Sequence, residues 1–138
     1  MIKNFFEMPR WLKFLTIGGF AALVMALIKP FSGVGVFGEH IDPSIWWRSG
    51  AGFAFVLPAL VMGVSAFLFL RRSQYGRAAY IAGWVAMTVG AYIGAHLEQI
   101  APQMLIPGLV FNLVVTVGIA LYLYLNKAVR LYFMGPVK

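Results

Sequence analysis

The sequence predicts an all-α integral membrane protein, a bundle of four transmembrane helices built as two tandem helical hairpins of parallel topology. Two observations indicate this class. First, 62% of the 138 residues are hydrophobic and only 11% are charged, whereas a soluble domain carries about 25% charged residues. Second, uncharged runs recur along the chain, and about 20 such residues are enough to cross the hydrocarbon core of a bilayer. We therefore expect lipid, and not water, to surround most of this chain.

The four predicted helices follow these runs, over residues 11–31, 43–71, 77–97 and 103–126. The run in the first helix is short, but Lys13 and Lys29 at its ends can extend their charged groups to the membrane surface. Because no small-residue cleavage site follows, we expect this helix to be retained and not removed as a signal peptide. The second helix is expected to begin ahead of the membrane, with Asp42 as its N-cap and Pro43 at its first position.

The basic residues predict the orientation of the helices. All of the 11 Lys and Arg residues except Lys29 and Arg48 fall at the N-terminus, between the second and third helices, or at the C-terminus. Because cytoplasmic segments carry the excess of Lys and Arg, both termini are expected to face the cytoplasm. The net charge of +7 then reflects topology, and its dispersion at membrane boundaries argues against a nucleic-acid partner.

Two pairs of similar segments occur in the same order along the chain: GVSAFLFLRR (63–72) with GIALYLYLNK (118–127), and IGGFAALVMAL (17–27) with IAGWVAMTVGA (81–91). This order predicts a tandem duplication, with a first hairpin over 1–72 and a second over 73–138. Since each hairpin enters and leaves on the same side, the two repeats are related by an axis along the membrane normal.

Small residues are concentrated on two helix faces, at Gly18 and Gly19 and at Gly83, Gly90 and Gly94. Small residues allow helix backbones to approach closely in a membrane. We therefore expect close packing at these positions, either inside the bundle or between copies. A homo-oligomer or a membrane protein partner is consistent with this pattern.

No group of residues indicates catalysis, so we expect no enzyme activity, no cofactor and no metal site. The four acidic residues lie outside the uncharged runs, and the chain contains no cysteine. His40 and His96 fall on the outer side, where they are either interfacial side chains or ligands of a metal or haem. Haem or metal binding by this pair would define a redox subunit, a third class of function.

The candidate substrate- and lipid-binding residues are basic, amide, hydroxyl and tryptophan side chains: Arg71, Arg72, Arg77, Asn112, Thr116, Asn126, Lys127, Arg130, Trp46, Trp47 and Arg48. The cytoplasmic cations suit an anionic lipid phosphate, although the topology rule alone also predicts cations there. An amide within a span must face protein, water or ligand, so Asn112 either joins two helices or lines a polar path with Thr116. Trp46 and Trp47 either anchor the protein at headgroup depth or contact a headgroup or glycan.

Two segments, WLKFLTIGGFAAL (11–23) and LYLNKAVRLYF (123–133), resemble the GtrA family of small four-helix membrane proteins. In this resemblance Asn126, Lys127 and Phe133 fill the family's closing pattern, whereas the first copy, LFLRRSQY (68–75), lacks the Asn. The resemblance implies carriage or translocation of a polyprenyl-phosphate-linked sugar for cell-surface polysaccharide glycosylation, without covalent chemistry. The alternative is a non-catalytic accessory subunit that packs within a larger membrane complex.

Overall fold

The computed structural model describes residues 2–32, 34–36, 39–48, 50–97 and 102–134, and these are almost entirely helical. The elements in chain order are α1 (Ile2–Glu7), α2 (Arg10–Ser32), β1 (Val34–Val36), β2 (Glu39–Ile41), α3 (Pro43–Arg48), α4 (Ala51–Leu70), α5 (Tyr75–Leu97), α6 (Pro102–Leu125) and α7 (Lys127–Met134). The two strands pair antiparallel between α2 and α3, with Val34 opposite Ile41. The all-α class holds for the described chain apart from this short ribbon.

Three of the described helices are long and apolar enough to cross a membrane. The qualifying windows are Arg10–Lys29 in α2, Gly52–Leu70 in α4 and Ile106–Leu125 in α6, with mean hydropathies of 1.9, 2.4 and 2.1. About 20 apolar residues in a helix span the hydrocarbon core with all backbone hydrogen bonds satisfied internally. The structure therefore supports a helical membrane protein.

The region predicted as one helix over 43–71 is divided in the structure. Gly50 adopts a left-handed conformation with φ of 84° and separates α3 from α4, a backbone that glycine adopts at little cost. The Trp47 ring packs over Gly52, where an added Cβ would lie 2.8 Å from the ring. The expected start at Pro43 is confirmed, because α3 begins there and the Ser44 N–H donates to the Asp42 carboxylate at 2.8 Å.

Helix α4 lies at the centre of the bundle, with α2 on one side and α5 on the other, and α6 packs on α5. Glycines allow these approaches: a Cβ at Gly19 would lie 2.8 Å from the Met62 carbonyl oxygen, and one at Gly83 would lie 2.6 Å from Met62 Cγ. At Gly90 an added Cβ would overlap the Ala54 carbonyl oxygen. The close packing predicted for Gly19, Gly83 and Gly90 is therefore confirmed as packing inside the bundle. Gly18 is exposed, and the surroundings of Gly94 lie outside the described residues.

The two ends of the chain meet at one end of the bundle. The Asn4 amide donates to the Leu70 carbonyl at 2.9 Å, and the Tyr132 hydroxyl lies within hydrogen-bonding distance of the carbonyls of Asn4 (3.3 Å) and Phe69 (3.0 Å). Phe133 packs into the same cluster, with its ring centre 5.7 Å from that of Phe69. Helices α1 and α7 therefore lie together where α4 ends and α5 begins. We call this the basic end, because Arg71, Arg72 and Arg77 also lie there.

Candidate functional site

An apolar groove of about 340 Å³ lies between α2 and α6. Its walls are Trp11 and Leu15 from α2 and four residues of α6: Val115, Gly118, Ile119 and Tyr122. Positions three and four apart share one helix face, so the α6 wall is a single stripe of that helix. Helix α2 packs mainly on α4 and α6 mainly on α5, and the groove lies between these two outer helices.

The chemistry of the groove is that of a hydrocarbon site. Its six lining residues include no charged group, and no atom lies within 4 Å of the position that a Gly118 Cβ would occupy. The volume falls within the range of about 300–1,000 Å³ typical of ligand sites, which are mostly lined by apolar and aromatic side chains. The groove therefore suits an apolar chain, and its Trp11 and Tyr122 end lies toward the basic end.

Arg72 joins three parts of the chain at the basic end. It forms an ion pair with Glu7 of α1, and its Cζ lies 4.9 Å from the centre of the Tyr132 ring of α7. Its backbone has φ of 55°, a left-handed conformation that is uncommon outside glycine. The contacts of Arg72 with Glu7 and Tyr132 hold α1 and α7 against the turn between α4 and α5.

The Tyr132 hydroxyl is kept protonated by its surroundings. The side chain is 6% exposed, and burial raises the pKa of the hydroxyl above its ordinary value of 10.0. The charge and hydrogen bond of Arg72 act in the opposite direction on this pKa, and the Glu7 charge raises it further. A neutral phenol is a hydrogen-bond donor, as its contacts with main-chain carbonyls require.

Arg77 lies in a different environment from Arg72. Its Cζ is 4.9 Å from the centre of the Tyr124 ring and 5.2 Å from that of Phe133. It donates to the Leu123 carbonyl and to Gln74 Oε1, both at 3.5 Å. The Nε atoms of Arg72 and Arg77 are both buried without an acceptor among the described residues.

Arg71, Lys127 and Arg130 are exposed at the basic end. Arg71 is exposed with its Cζ 4.8 Å from the centre of the Phe67 ring. Lys127 and Arg130 are exposed on α7, which buries Val129 on its other side. Helix α7 is thus amphipathic and short, as expected of a segment lying in a membrane interface.

Asn126 has a structural partner. Its side-chain oxygen accepts hydrogen bonds from the backbone N–H groups of Ala128 at 3.0 Å and Val129 at 3.3 Å. This is the N-cap arrangement, in which an Asn side chain satisfies the free donors of a first helical turn. The amide therefore separates α6 from α7 and fixes the start of α7.

The polar residues of α6 do not form the groove. The Thr116 hydroxyl donates to the Asn112 carbonyl within the same helix at 2.7 Å, and Thr116 is 8% exposed. The Asn112 side chain is half-buried, and neither residue is among those that line the groove. The lining of the groove therefore does not include these two polar residues.

The candidate residues of α3 lie outside the groove, after the strand ribbon. The Trp47 ring packs edge-on against Phe53, with ring centres 4.9 Å apart, and Arg48 is exposed. The Trp46 side chain lies outside the described residues, as do the side chains of His40 and His96.

The sequence reasoning missed the groove. Its lining residues come from the start of α2 and the second half of α6, and no motif links them. The available signal was the spacing of Val115, Gly118, Ile119 and Tyr122, which places a glycine in the middle of one apolar helix face. It also missed the role of Glu7, because the pairing with Arg72 depends on how α1 folds back.

The fold and the groove define a small helical membrane protein with an apolar ligand-sized site beside a basic end. Comparison of the chain with protein-family models, with curated proteins and with solved structures gives no match. The groove and the basic end therefore carry the functional assignment.

Proposed function

We propose that this protein binds and carries a polyprenyl-phosphate-linked sugar in a bacterial inner membrane, as the resemblance to the GtrA family implies, and performs no covalent chemistry. The observation that carries the proposal is the groove between α2 and α6, whose uncharged lining suits a methyl-branched hydrocarbon chain. Because the lining holds no charge, the phosphate and the sugar of such a lipid must lie beyond it. The groove's Trp11 and Tyr122 end, toward the cations, is the position that suits the phosphate.

The proposal includes four membrane crossings with both termini on the cytoplasmic side. The hydrogen bond between Tyr132 and Asn4 joins the two ends of the chain, and a chain whose ends share one side crosses an even number of times. If α2, α4 and α6 cross, α5 must cross as well. Helix α5 has 23 residues and is about 34 Å long at 1.5 Å per residue. This length is enough to cross a hydrocarbon core of about 30 Å.

Two glycines of α6 provide the test. An added Cβ would meet no atom from elsewhere in the described chain within 4 Å at either Gly118 or Gly108, but only Gly118 lines the groove. We expect Gly118→Leu to weaken the binding of polyprenyl phosphate to the purified protein by about tenfold or more, because the leucine side chain fills the site. The matched control Gly108→Leu is expected to bind as the wild type does. Both substitutions favour the helix by up to about 1 kcal/mol, so neither is expected to unfold the protein.

Unchanged affinity in Gly118→Leu contradicts the placement of the lipid chain in the groove. Equal losses in Gly118→Leu and Gly108→Leu contradict it as well, since only one of the two glycines lies there. The binding measurement therefore separates a specific site from a general effect of added apolar surface.

One observation favours the accessory-subunit alternative. Only 11% of the apolar window of α6 is buried, compared with 39% in α4, and large side chains on α6 such as Phe111, Val114 and Leu121 are exposed. A partner helix, from another protein or a second copy, can cover this face in place of lipid. Purification in a mild detergent distinguishes the two functions. A partner protein that co-purifies in stoichiometric amount supports the accessory role. A chain that purifies alone and retains polyprenyl phosphate supports carriage of the lipid.

A further inference from the structure

We propose that Arg77 is the residue that binds the phosphate group of an anionic lipid at the basic end, a proposal that rests on the proposed function and assigns one residue of its site. The ligand chemistry is a phosphate ester whose oxygens accept hydrogen bonds from the guanidinium group. The sequence grouped Arg77 with Arg71 and Arg72. The structure separates the three by their partners.

Arg77 is a half-buried cation without a carboxylate partner among the described residues. Its two hydrogen-bond distances, both 3.5 Å, exceed the ordinary range of about 2.7–3.2 Å for an N–H donor. A guanidinium group carries five N–H donors, so most of its donor capacity is unused. A partly desolvated charge that lacks a counter-ion favours the approach of an anion.

The aromatic rings beside Arg77 limit its movement. The Tyr124 and Phe133 ring centres lie 4.9 Å and 5.2 Å from its Cζ, on α6 and α7 respectively. Cation–π contacts stabilise the charge of the guanidinium group. Unlike conventional hydrogen bonds, they do not occupy its N–H donors. Because the planar guanidinium matches phosphate in a two-point arrangement, a side chain restrained in this way is prepared for such a ligand.

The neighbouring arginines lack this combination. Arg72 already has Glu7 as its counter-ion, and Arg71 is exposed to solvent beside Phe67, where water and salt screen its charge. The topology rule explains why cations are at this end. It does not explain why one of them is enclosed by two rings and has no described acidic partner.

The test compares Arg77→Gln with Arg71→Gln, which removes the same charge from the same region. The probes are polyprenyl phosphate and the corresponding polyprenol, which lacks the phosphate. We expect Arg77→Gln to weaken binding of polyprenyl phosphate by about tenfold or more, as loss of a charge-assisted two-point contact does, and to leave polyprenol binding unchanged. Arg71→Gln is expected to change either affinity less than about twofold, as an exposed charge does.

Competition distinguishes the sources of the phosphate. If inorganic phosphate displaces polyprenyl phosphate and phosphatidic acid does not, the site binds free phosphate, and the assignment of a lipid ligand is overturned. Displacement by phosphatidic acid but not by inorganic phosphate supports a lipid headgroup. If Arg77→Gln and Arg71→Gln bind polyprenyl phosphate equally, the assignment of Arg77 is wrong.

A measurement on the wild-type protein covers the case in which Arg77→Gln fails to fold. In protein labelled with ¹⁵N-arginine, the Arg77 Nε–H resonance, assigned by its loss in Arg77→Lys, is expected to shift on addition of polyprenyl phosphate and not of polyprenol. Absence of a shift at saturating probe overturns the proposal. Failure of the proposed function and failure of the Arg77 assignment can be distinguished. Gly118→Leu is expected to weaken the binding of polyprenol and polyprenyl phosphate alike, whereas Arg77→Gln is expected to leave polyprenol binding unchanged.

Discussion

Replacement of Gly90 by alanine tests the closest helix contact in the described bundle. An added Cβ would lie less than 3.0 Å from the carbonyl oxygen of Ala54, with the Ala54 carbonyl carbon and Cα also within 4 Å. These are backbone atoms of α4, so no side chain can rotate away to make room. We therefore expect Gly90→Ala to push α4 and α5 apart.

The magnitude follows from two opposing effects. Overpacking in a closely packed interior costs about 1–3 kcal/mol, and the upper value applies here because the overlapping atoms belong to the backbone. Alanine favours a helix over glycine by about 1 kcal/mol, so the net loss in the free energy of unfolding is about 2 kcal/mol. In the control Gly108→Ala the added Cβ meets no atom from elsewhere in the described residues within 4 Å, and this variant is expected to gain up to about 1 kcal/mol from the same helix preference. The two variants should thus differ by about 3 kcal/mol, or about a hundredfold in the unfolding equilibrium.

Circular dichroism of the purified protein in detergent, with a denaturing detergent titrated in, measures this difference. Gly83→Ala is expected to fall between the two, because its Cβ would meet Met62 Cγ at 2.6 Å and backbone atoms only at 3.3 Å or more. A Gly90→Ala protein as stable as Gly108→Ala would show that α4 and α5 are not in contact at this position.

Two further predictions concern the basic end. Tyr132→Phe is expected to lower the free energy of unfolding by about 1 kcal/mol at neutral pH, through loss of its hydrogen bonding. The folded-state pKa of Tyr132 is raised from 10.0. The difference in stability from the wild type is therefore fully present below pH 10.0 and shrinks as the pH rises through the folded-state pKa. A difference that does not depend on pH in unfolding experiments contradicts this prediction. The chain has no cysteine, so an impermeant thiol reagent on intact cells should label Ser44→Cys and leave both Gln74→Cys and Arg130→Cys unlabelled. Labelling of only one of the latter pair contradicts four crossings.

Composition and uncharged length predicted the helical membrane class, because these properties are local and additive along the chain. The start of α3 was also predictable, since the Asp42 carboxylate and Pro43 act within one helical turn. The break at Gly50 was not, because a glycine inside an apolar run is compatible with a continuous helix. The left-handed backbone at Gly50 accompanies packing of the Trp47 ring over Gly52, a side-chain contact that the apolar pattern of the sequence does not specify.

The basic end shows a second limit of sequence reasoning. Lys and Arg counts predicted that cations gather on one side, but could not predict which cation has a counter-ion. Glu7 and Arg72 are far apart in sequence and meet where the Asn4 side chain donates to the Leu70 carbonyl and holds α1 against the end of α4. The role of Asn126 as a cap of α7 was hidden for a related reason. The apolar pattern of α6 runs up to Asn126. The sequence therefore predicts this residue as the last position of that helix and as a substrate- or lipid-binding residue.

The two glycines that open the matching segments GVSAFLFLRR and GIALYLYLNK have different surroundings. In the first segment, a Cβ at Gly63 would lie 2.8 Å from Leu23 Cβ, so this glycine allows α2 to pack closely on α4. In the second segment, Gly118 occupies the corresponding place, and no atom lies within 4 Å of an added Cβ. A glycine in a helix costs about 1 kcal/mol relative to alanine, and at Gly63 the helix contact offsets this cost. No contact with the described chain offsets it at Gly118, which lines the groove. Under the proposed function a bound hydrocarbon chain occupies the space beside Gly118, and this is why Gly118 is the residue at which filling the groove tests the proposal most directly.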